Sequence, residues 1–315
     1  RQRQMCIRDS RSDILSLLMN TKRAVTVAGA HGKTTTSSML AHILTHAGEG
    51  NLADPSYAIG GSIQGKDGMM LDGGHAGQGD VLVAEADESD GSFAKYHPEI
   101  AIVTNSEADH LDHYGTQENY RAAFVDHVQH AVKSVVMCGD DEGNLAVLRA
   151  LDASAAAHTV VYATQDEASL GDLNGAAFVH IESESESAQS GAEHFTLHVP
   201  AGLLDEQERM VPVTLTVPGI HNARNASAAI IAAALLGVDI EKAAEVATSF
   251  LGAARRFQVR GTVSQVTVVD DYAHHPTEIS ALLDAARRKY PQSAIRVIFQ
   301  PHLFLSLIHI SEPTR

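Results

Sequence analysis

Between Gly29 and Thr35 the chain reads G-A-H-G-K-T-T. This order of residues suits an anion carrying several phosphates. Glycines let backbone N–H groups turn inward and approach an anion closely. A helix starting here adds the positive end of its dipole. The Lys33 ammonium meets β- and γ-phosphates, and the Thr34 hydroxyl is a ligand for Mg²⁺. The common form of this loop has glycine five residues before Gly32. Val27 stands there, so the loop is shorter and opens at Gly29. A glycine turn with a chance G-K-T is the plainer reading. The strand-like run before the loop and the helical pattern after it disfavour that reading. The expected nucleotide contacts are Gly29, Ala30, His31, Gly32, Lys33, Thr34 and Thr35.

Two acidic runs follow. Glu85 to Phe93 reads E-A-D-E-S-D-G-S-F directly after an apolar strand pattern. In parallel α/β sheets, ligands bind beyond the carboxyl ends of strands. Carboxylates there suit a hard Mg²⁺ that also holds phosphate oxygens. Without the neighbouring loop, a solvated acidic turn would explain the run equally well. Asn105 to His113 (N-S-E-A-D-H-L-D-H) holds three carboxylates and two histidines past another strand end. His110 is expected to ligate a metal or meet a phosphate, against the commoner structural role of a lone histidine.

Two further runs are ambiguous. Gly219 to Asn225 (G-I-H-N-A-R-N) opens an Ala-rich helix. Its asparagines can cap the helix or pair with a base edge, and pattern alone favours capping. Val269 to Glu278 (V-D-D-Y-A-H-H-P-T-E) pairs two aspartates and two histidines before a helix. A turn plus N-cap needs fewer such residues, and no pattern rule assigns them a role.

These runs need a scaffold. Arg23–Ala28, Asp80–Ala84, Ile100–Thr104, Ser134–Cys138 and Thr159–Tyr162 read as buried strands. Thr34–Ala47 and Thr116–Val132 read as helices between them, the second opened by a Thr cap. Alternating strands and helices imply an α/β fold with a mostly parallel sheet covered on both faces. His194–Val199 and Val211–Val217 read as short alternating strands flanking a solvated loop at Glu182–Ser187. Asn222–Leu236 and Ile240–Phe250 read as helices, and Gly252–Arg256 as a hinge. A new β/α pattern then begins: strand Val266–Val269, helix Pro276–Lys289 with proline at its first position, strand Ile295–Phe299. A domain boundary is expected near Ala253.

Bulk properties narrow the class. The chain has 315 residues, 44% of them hydrophobic, enough for one large domain or two smaller ones. A net charge of −16 repels nucleic acid and anionic membranes, so neither is an expected partner. Bound phosphate must therefore rely on local donors. Two distant cysteines, Cys6 and Cys138, match no metal spacing and suit a reducing cytoplasm. No apolar run reaches the ~18 residues of a membrane span, and no secretory signal is apparent.

The series G-A-H-G-K-T-T, E-A-D-E-S-D, V-T-N-S-E-A-D-H, G-I-H-N-A-R-N-A, A-R-R-F, D-D-Y-A-H-H-P-T-E and F-Q-P-H resembles the Mur ligases in order and spacing, and among them the alanine-adding branch. The resemblance covers roughly residues 11–304. It implies a P-loop-containing central domain over residues 11–253 and the start of a Rossmann-like ligase domain over 254–304. It also implies a reaction. ATP phosphorylates the lactyl carboxylate of UDP-N-acetylmuramate, the amine of L-alanine attacks the acyl phosphate, and phosphate leaves. By the same resemblance Lys33 cradles the phosphates, and Thr34, Glu85 and His110 hold Mg²⁺. Asn222 and Asn225 match positions near adenine, and Arg256 and Asp271 match positions that contact ATP once the last domain closes. The resemblance also places His274, His275 and His302 in motifs that face the substrate.

The family loop usually carries Thr where Ala30 stands, a small change because the backbone does most of the binding. No glycine-rich uridine turn precedes the loop, and a different run follows F-Q-P-H. Residues 1–10 and 305–315 resemble translated sequencing-adaptor read-through. The expectation is a chain cut at both ends with foreign flanks, which folds its ATP-binding unit but ligates poorly. Two rival readings stand beside this one. A recycling ligase would take a ready-made tripeptide, and the E-S-D-G-S-F run resembles the alanine-adding branch more. A switch GTPase or other nucleotide-binding module lacks support, since no Asn-Lys-x-Asp base-reading run is present.

Overall fold

The computed structural model describes residues 11–64, 70–183 and 192–300. Helix α1 (Arg11–Met19) precedes strand β1 (Arg23–Ala28) and helix α2 (Lys33–Ala47). Short strands β2 (Ser56–Ala58), β3 (Ile63–Gln64), β4 (Met70–Leu71) and β5 (Gly74–His75) lead to β6 (Val81–Glu85). Strand β7 (Ile100–Val103) is followed by α3 (Leu111–Tyr114) and α4 (Gln117–Gln129). Then come β8 (Ser134–Cys138), α5 (Glu142–Ala150), α6 (Ala153–Ala157), β9 (Thr159–Ala163) and α7 (Glu167–Leu170). Strands β10 (Ala177–Ser183), β11 (Glu193–Val199) and β12 (Arg209–Leu215) precede α8 (Ile220–Leu236) and α9 (Ile240–Thr248). The described chain closes with β13 (Gln258–Val263), β14 (Val266–Asp270) and α10 (Pro276–Lys289).

One ten-stranded sheet organises the molecule, in the order β12-β11-β10-β9-β8-β7-β1-β6-β2-β5. From β10 to β2 every neighbouring pair is parallel. Strands β11, β12 and β5 add antiparallel edges. Alternation along each strand explains the continuous apolar runs. Val25, Val27, Val81, Val83, Ile100 and Ile102 pack in one core with residues of α2, α8 and α9. Ala24, Ala28, Leu82, Ala84 and Val103 pack in a second core with Tyr120 and Phe124 of α4 and Leu148 of α5. Each fully buried Val or Ile contributes about 1.5–3 kcal/mol, so the sheet's centre is its most stable part. The chain leaves β1 toward β6 on one side and reaches β7 on the other. That reversal opens a crevice at the carboxyl end of β1, where the G-A-H-G-K-T-T loop lies.

Several expectations need correction. Residues 295–299 form no strand; residues 294–300 carry no regular structure, and Ile298 is 99% exposed. A strand is made by pairing, and residues 294–300 pair with none of the described strands. Strand β13 was not anticipated because Gly261 sits at a register shift between Val259 and Gly261 that breaks its alternation. Glu182 and Ser183 are not loop but the end of β10, paired with Thr196 and Phe195; the rest of that loop, and the two terminal flanks, lie outside the described residues. Helix α8 starts before its asparagines. Gly219 is the N-cap, with φ 104° and no side-chain cap, and its N–H is taken by buried Glu193 at 2.6 Å. Asn222 therefore sits inside the first turn, and its amide donates to the Pro218 carbonyl at 2.7 Å. Among the described residues, no helix is long and apolar enough to cross a membrane.

Candidate functional site

The Gly29–Thr35 loop is fixed by what surrounds it. Gly29 has φ 137°, and a Cβ there would lie 2.2 Å from Thr104 Oγ1 and 2.8 Å from the Asn105 carbonyl. Gly32 has φ 85°, and a Cβ would lie 2.7 Å from Asn225 Oδ1. Both positions therefore need glycine. Asn105, just past β7, clasps the loop: its Oδ1 accepts the His31 N–H at 3.1 Å and its amide donates to the His31 carbonyl at 2.9 Å. The loop is thus held by β7's end as well as by its own strand and helix.

Lys33 is held by a carboxylate. Its ammonium donates to Glu88 Oε2 at 2.8 Å and Oε1 at 3.0 Å, and to the Gly29 carbonyl at 2.6 Å. Glu88 is completely buried. Burial pushes its pKa up, and Lys33 opposes that shift. His110 Nε2 lies 3.9 Å from Glu88 Oε1, and the Tyr114 hydroxyl donates to the Glu88 carbonyl. His110 itself has φ 52°, the N-cap of the four-residue α3.

Glu85 closes the other side. Its Oε1 accepts the Gly60 N–H at 2.9 Å and the Ser37 hydroxyl at 3.4 Å. Ser37 also donates to the Lys33 and Thr34 carbonyls at 2.7 and 3.3 Å. A Cβ on Gly61 would come within 3.0 Å of Thr34 Cγ2, and one on Gly60 within 3.0 Å of Glu85 Oε2. Thr34 and Glu85 thus border the same Gly60–Gly61 turn. A hydroxyl and a carboxylate beside a phosphate loop are an oxygen donor set that fits Mg²⁺.

Beside this corner lies a cavity of about 440 Å³, within the range of small-molecule clefts. Cys138 and Tyr162 are among the buried residues lining it. Asn222, Asn225 and Arg224 come from α8, and Arg256, Asp271, Thr277 and Glu278 from the last segment. Arg224 Nε donates to buried Asp140 at 2.6 Å. Burial would raise the Asp140 pKa, but Arg224 and Thr164 bring it below the ordinary value.

The last segment reaches the loop through polar contacts. His31 Nδ1 lies 3.5 Å from Glu278 Oε1, and its Nε2 lies 3.4 Å from Glu107 Oε2. Burial would lower the His31 pKa, yet the two carboxylates raise it to about 9. The Glu107 pKa is lowered mainly by its close contact with His31. Burial would raise that of Glu278, but His31 and Arg256 bring it far below the carboxylate range. Thr277 Oγ1 donates to Glu107 Oε1 at 2.8 Å, and Arg288 pairs with Glu193 at 3.1 Å.

The Mur ligase middle-domain family model matches residues 27–233, and the Mur ligase glutamate-ligase-domain model matches 255–303. The chain belongs to the Mur ligase family. Over 294 residues it is 83% identical to a UDP-N-acetylmuramate–L-alanine ligase of Bifidobacterium adolescentis, covering 93% of this chain and 56% of that protein. A Bifidobacterium longum protein of the same description is 70% identical, with 93% and 57% covered. The chain thus spans about half the length of the curated relatives it matches. Among solved structures it resembles the UDP-N-acetylmuramate–alanine ligase MurC of Thermotoga maritima, with 29% identity and a TM-score of 0.71 over 92% of this chain and 59% of that one. It also resembles a murein peptide ligase of Psychrobacter arcticus, with 27% identity and a TM-score of 0.61 over 90% and 58%.

In this Mur ligase chain the sequence-selected residues fall into four groups. Lys33 and His110 meet at Glu88, and Thr34 and Glu85 meet at the Gly60–Gly61 turn. Asn222, Asn225, Arg256 and Asp271 line the cavity. His274 and His275 lie at the start of α10, where His275 is the N-cap and takes part in a capping box with Glu278. Asp271 accepts the Phe257 and Ala273 N–H groups, both at 2.7 Å, so the turn-plus-cap reading of this run describes much of its geometry. His302 lies outside the described residues. Three acidic residues escaped the sequence reading of individual roles: Glu88, Glu107 and Glu278. Each sits inside a quoted motif. A carboxylate three residues past Glu85, in a run leading to buried Phe93, was the available signal for Glu88.

Proposed function

We propose that this chain is the ATP-handling part of a ligase that joins L-alanine to UDP-N-acetylmuramate. One observation carries the reading: Lys33 and Thr34 sit on a glycine loop at the carboxyl end of β1, Glu85 and Thr34 border the same Gly60–Gly61 turn, and a cavity of nucleoside size lies beside them. The identity to alanine-adding relatives supports the substrates. The phosphates would lie on the loop's N–H groups, with Lys33 turning from Glu88 toward them. Mg²⁺ held by Thr34 and Glu85, with His110 at a second position, would neutralise charge on the transferred phosphoryl group. The lactyl carboxylate attacks the γ-phosphorus, ADP leaves, and an acyl phosphate forms. The alanine amine then adds to the acyl carbon, and phosphate leaves with its bonding electrons.

Lys33 stabilises negative charge on the phosphoryl oxygens, and the base is expected between Asn222 and the cavity's apolar walls. Asp271 and Arg256 approach from the last segment. The Psychrobacter likeness keeps a tripeptide-adding activity as a second reading, favoured less because its identity is far lower. Calorimetry with Mg-ATP tests the nucleotide site. Binding that vanishes in Lys33→Ala supports the proposal, and heat unchanged by that substitution refutes it. Alanine-dependent phosphate release by a full-length relative, compared with tripeptide-dependent release, separates the two activities.

A further inference from the structure

Three side chains from three parts of the chain meet at the outer edge of the phosphate loop. His31 belongs to the loop, Glu107 follows β7, and His275 caps α10. Their candidate ligand atoms all lie within 4.8 Å of one another. His31 Nε2 and Glu107 Oε2 are 3.4 Å apart, and the His31 and His275 rings have centroids 4.6 Å apart. His31 Nε2 is buried, and its approach to Glu107 lacks hydrogen-bond geometry.

We propose that His31, Glu107 and His275 form a binding site for a transition-metal dication of the zinc class, separate from the magnesium position at Thr34 and Glu85. Two imidazoles and a carboxylate are the donor set of Zn²⁺ sites that keep an open position, whereas Mg²⁺ prefers oxygen. In a tetrahedral site with bonds near 2.0–2.1 Å, neighbouring ligand atoms stand about 3.3 Å apart. The His31–Glu107 edge already matches that spacing, so loading asks mainly for a small shift of the His275 ring.

The residues behind the cluster support this assignment. Metal-bound histidines usually donate their other ring N–H to a carboxylate, which fixes ring and tautomer. His31 presents Nδ1 to Glu278 Oε1 at 3.5 Å, leaving Nε2 for the ion. Glu107 is oriented by Thr277 on its other oxygen. Glu278 is held in turn by Arg256 and the His274 N–H. Such a site would join the loop and β7's end to α10. Zinc would therefore staple the last segment over the cavity. The proposal stands apart from the ligase reading, since it concerns a metal bound without nucleotide.

The test is a zinc titration of the full chain against a chromophoric chelator, with excess Mg²⁺ and no nucleotide. One tight equivalent is expected, weakened at least tenfold in both His275→Ala and Glu107→Gln. Circular dichroism checks that each variant remains folded. Should either variant unfold, X-ray absorption at the zinc edge of the wild-type chain decides: two imidazoles and one carboxylate are expected. No tight equivalent, wild-type affinity retained in both variants, displacement by Mg²⁺, or a different ligand set would each overturn the proposal. Retained affinity would assign the zinc to others of the chain's 18 histidines.

Discussion

The phosphate corner and the last segment face each other across one cavity, yet they are held by different physics. The corner hangs from strands whose centres are wholly buried, and its Lys33–Glu88 pair sets a partly buried ammonium against a fully buried carboxylate. The last segment is a two-stranded ribbon and one helix, with Val263 75% and Val266 63% exposed. Its polar ties to the corner are His31 with Glu278 and Thr277 with Glu107, while Arg288 with Glu193 ties it to β11. Apolar burial is indifferent to pH and salt, whereas ion contacts are not. The corner should behave as fixed machinery and the segment as a part that docks and releases.

The largest effect should come from breaking the corner's ion pair. Lys33→Ala leaves Glu88 buried without its cation, which costs about 3–5 kcal/mol. Urea denaturation should register that loss, and Lys33→Ala combined with Glu88→Ala should recover much of it. A double variant no more stable than Lys33→Ala alone would mean the pair is not what holds Glu88. Mg-ATP affinity should fall at least about tenfold in both variants, since a hydrogen bond to a charged group contributes about 1.5–3 kcal/mol.

Next comes the loop itself. Gly29→Ala must accommodate a Cβ 2.8 Å from the Asn105 carbonyl at φ 137°. Strain of this kind costs roughly 1–3 kcal/mol, and the loop would shift off its clasp by Asn105. Thermal melting and nucleotide binding should both decline. Gly175→Ala, with φ 82° and open space around it, shares the backbone strain without the clash and should leave binding unchanged.

The same contrast explains what the sequence could disclose. The parallel strands were legible because burial on both faces demands unbroken apolar runs such as Arg23–Ala28 and Ser134–Cys138. The loop was legible because the proposed phosphate site demands glycine at tight backbone positions and a cation beside them, at Gly29, Gly32 and Lys33. The asparagines of α8 misled, because Gly219 and distant Glu193 finish that helix and no local pattern records a partner 26 residues away. The run at 295–299 misled because β-branched residues state a preference, while a neighbouring edge decides the outcome. Glu88, Glu107 and Glu278 were invisible as individuals. Their roles arise from pairing with Lys33 and His31 across the fold, which spacing along the chain does not encode.

The docked segment should respond to pH. His31 is raised to about 9 by Glu107 and Glu278. A raised histidine contributes fully below its ordinary value of about 6.5 and loses its contribution as pH climbs through about 9. Docking should therefore weaken between those limits. Hydrogen exchange in residues 276–289, corrected for intrinsic rates, should accelerate at least roughly tenfold across that window, the factor one linked pKa unit carries. Strands β1 and β7 should keep their protection. Glu278→Gln, which removes one of the two carboxylates, should leave a smaller change. Equal acceleration of β1 and α10 would erase the distinction between the two regions.

The smallest effect belongs to the ribbon's outer face. Val263 is 75% exposed, so Val263→Thr removes little apolar contact and keeps a β-branched side chain. Its hydroxyl meets water rather than a dry interior, so no desolvation cost arises. Stability should change by no more than about 0.5 kcal/mol, the usual span for surface positions. Val25 offers the matched control, being fully buried in β1. There the same substitution buries a hydroxyl, at a cost of about 1–3 kcal/mol by protein mutational data. Urea midpoints of the two variants, measured side by side, test whether the regions differ as their burial says. A loss at Val263 comparable to that at Val25 would mean that the ribbon's outer face is covered in solution, and the contrast between fixed corner and docking segment would have to be redrawn.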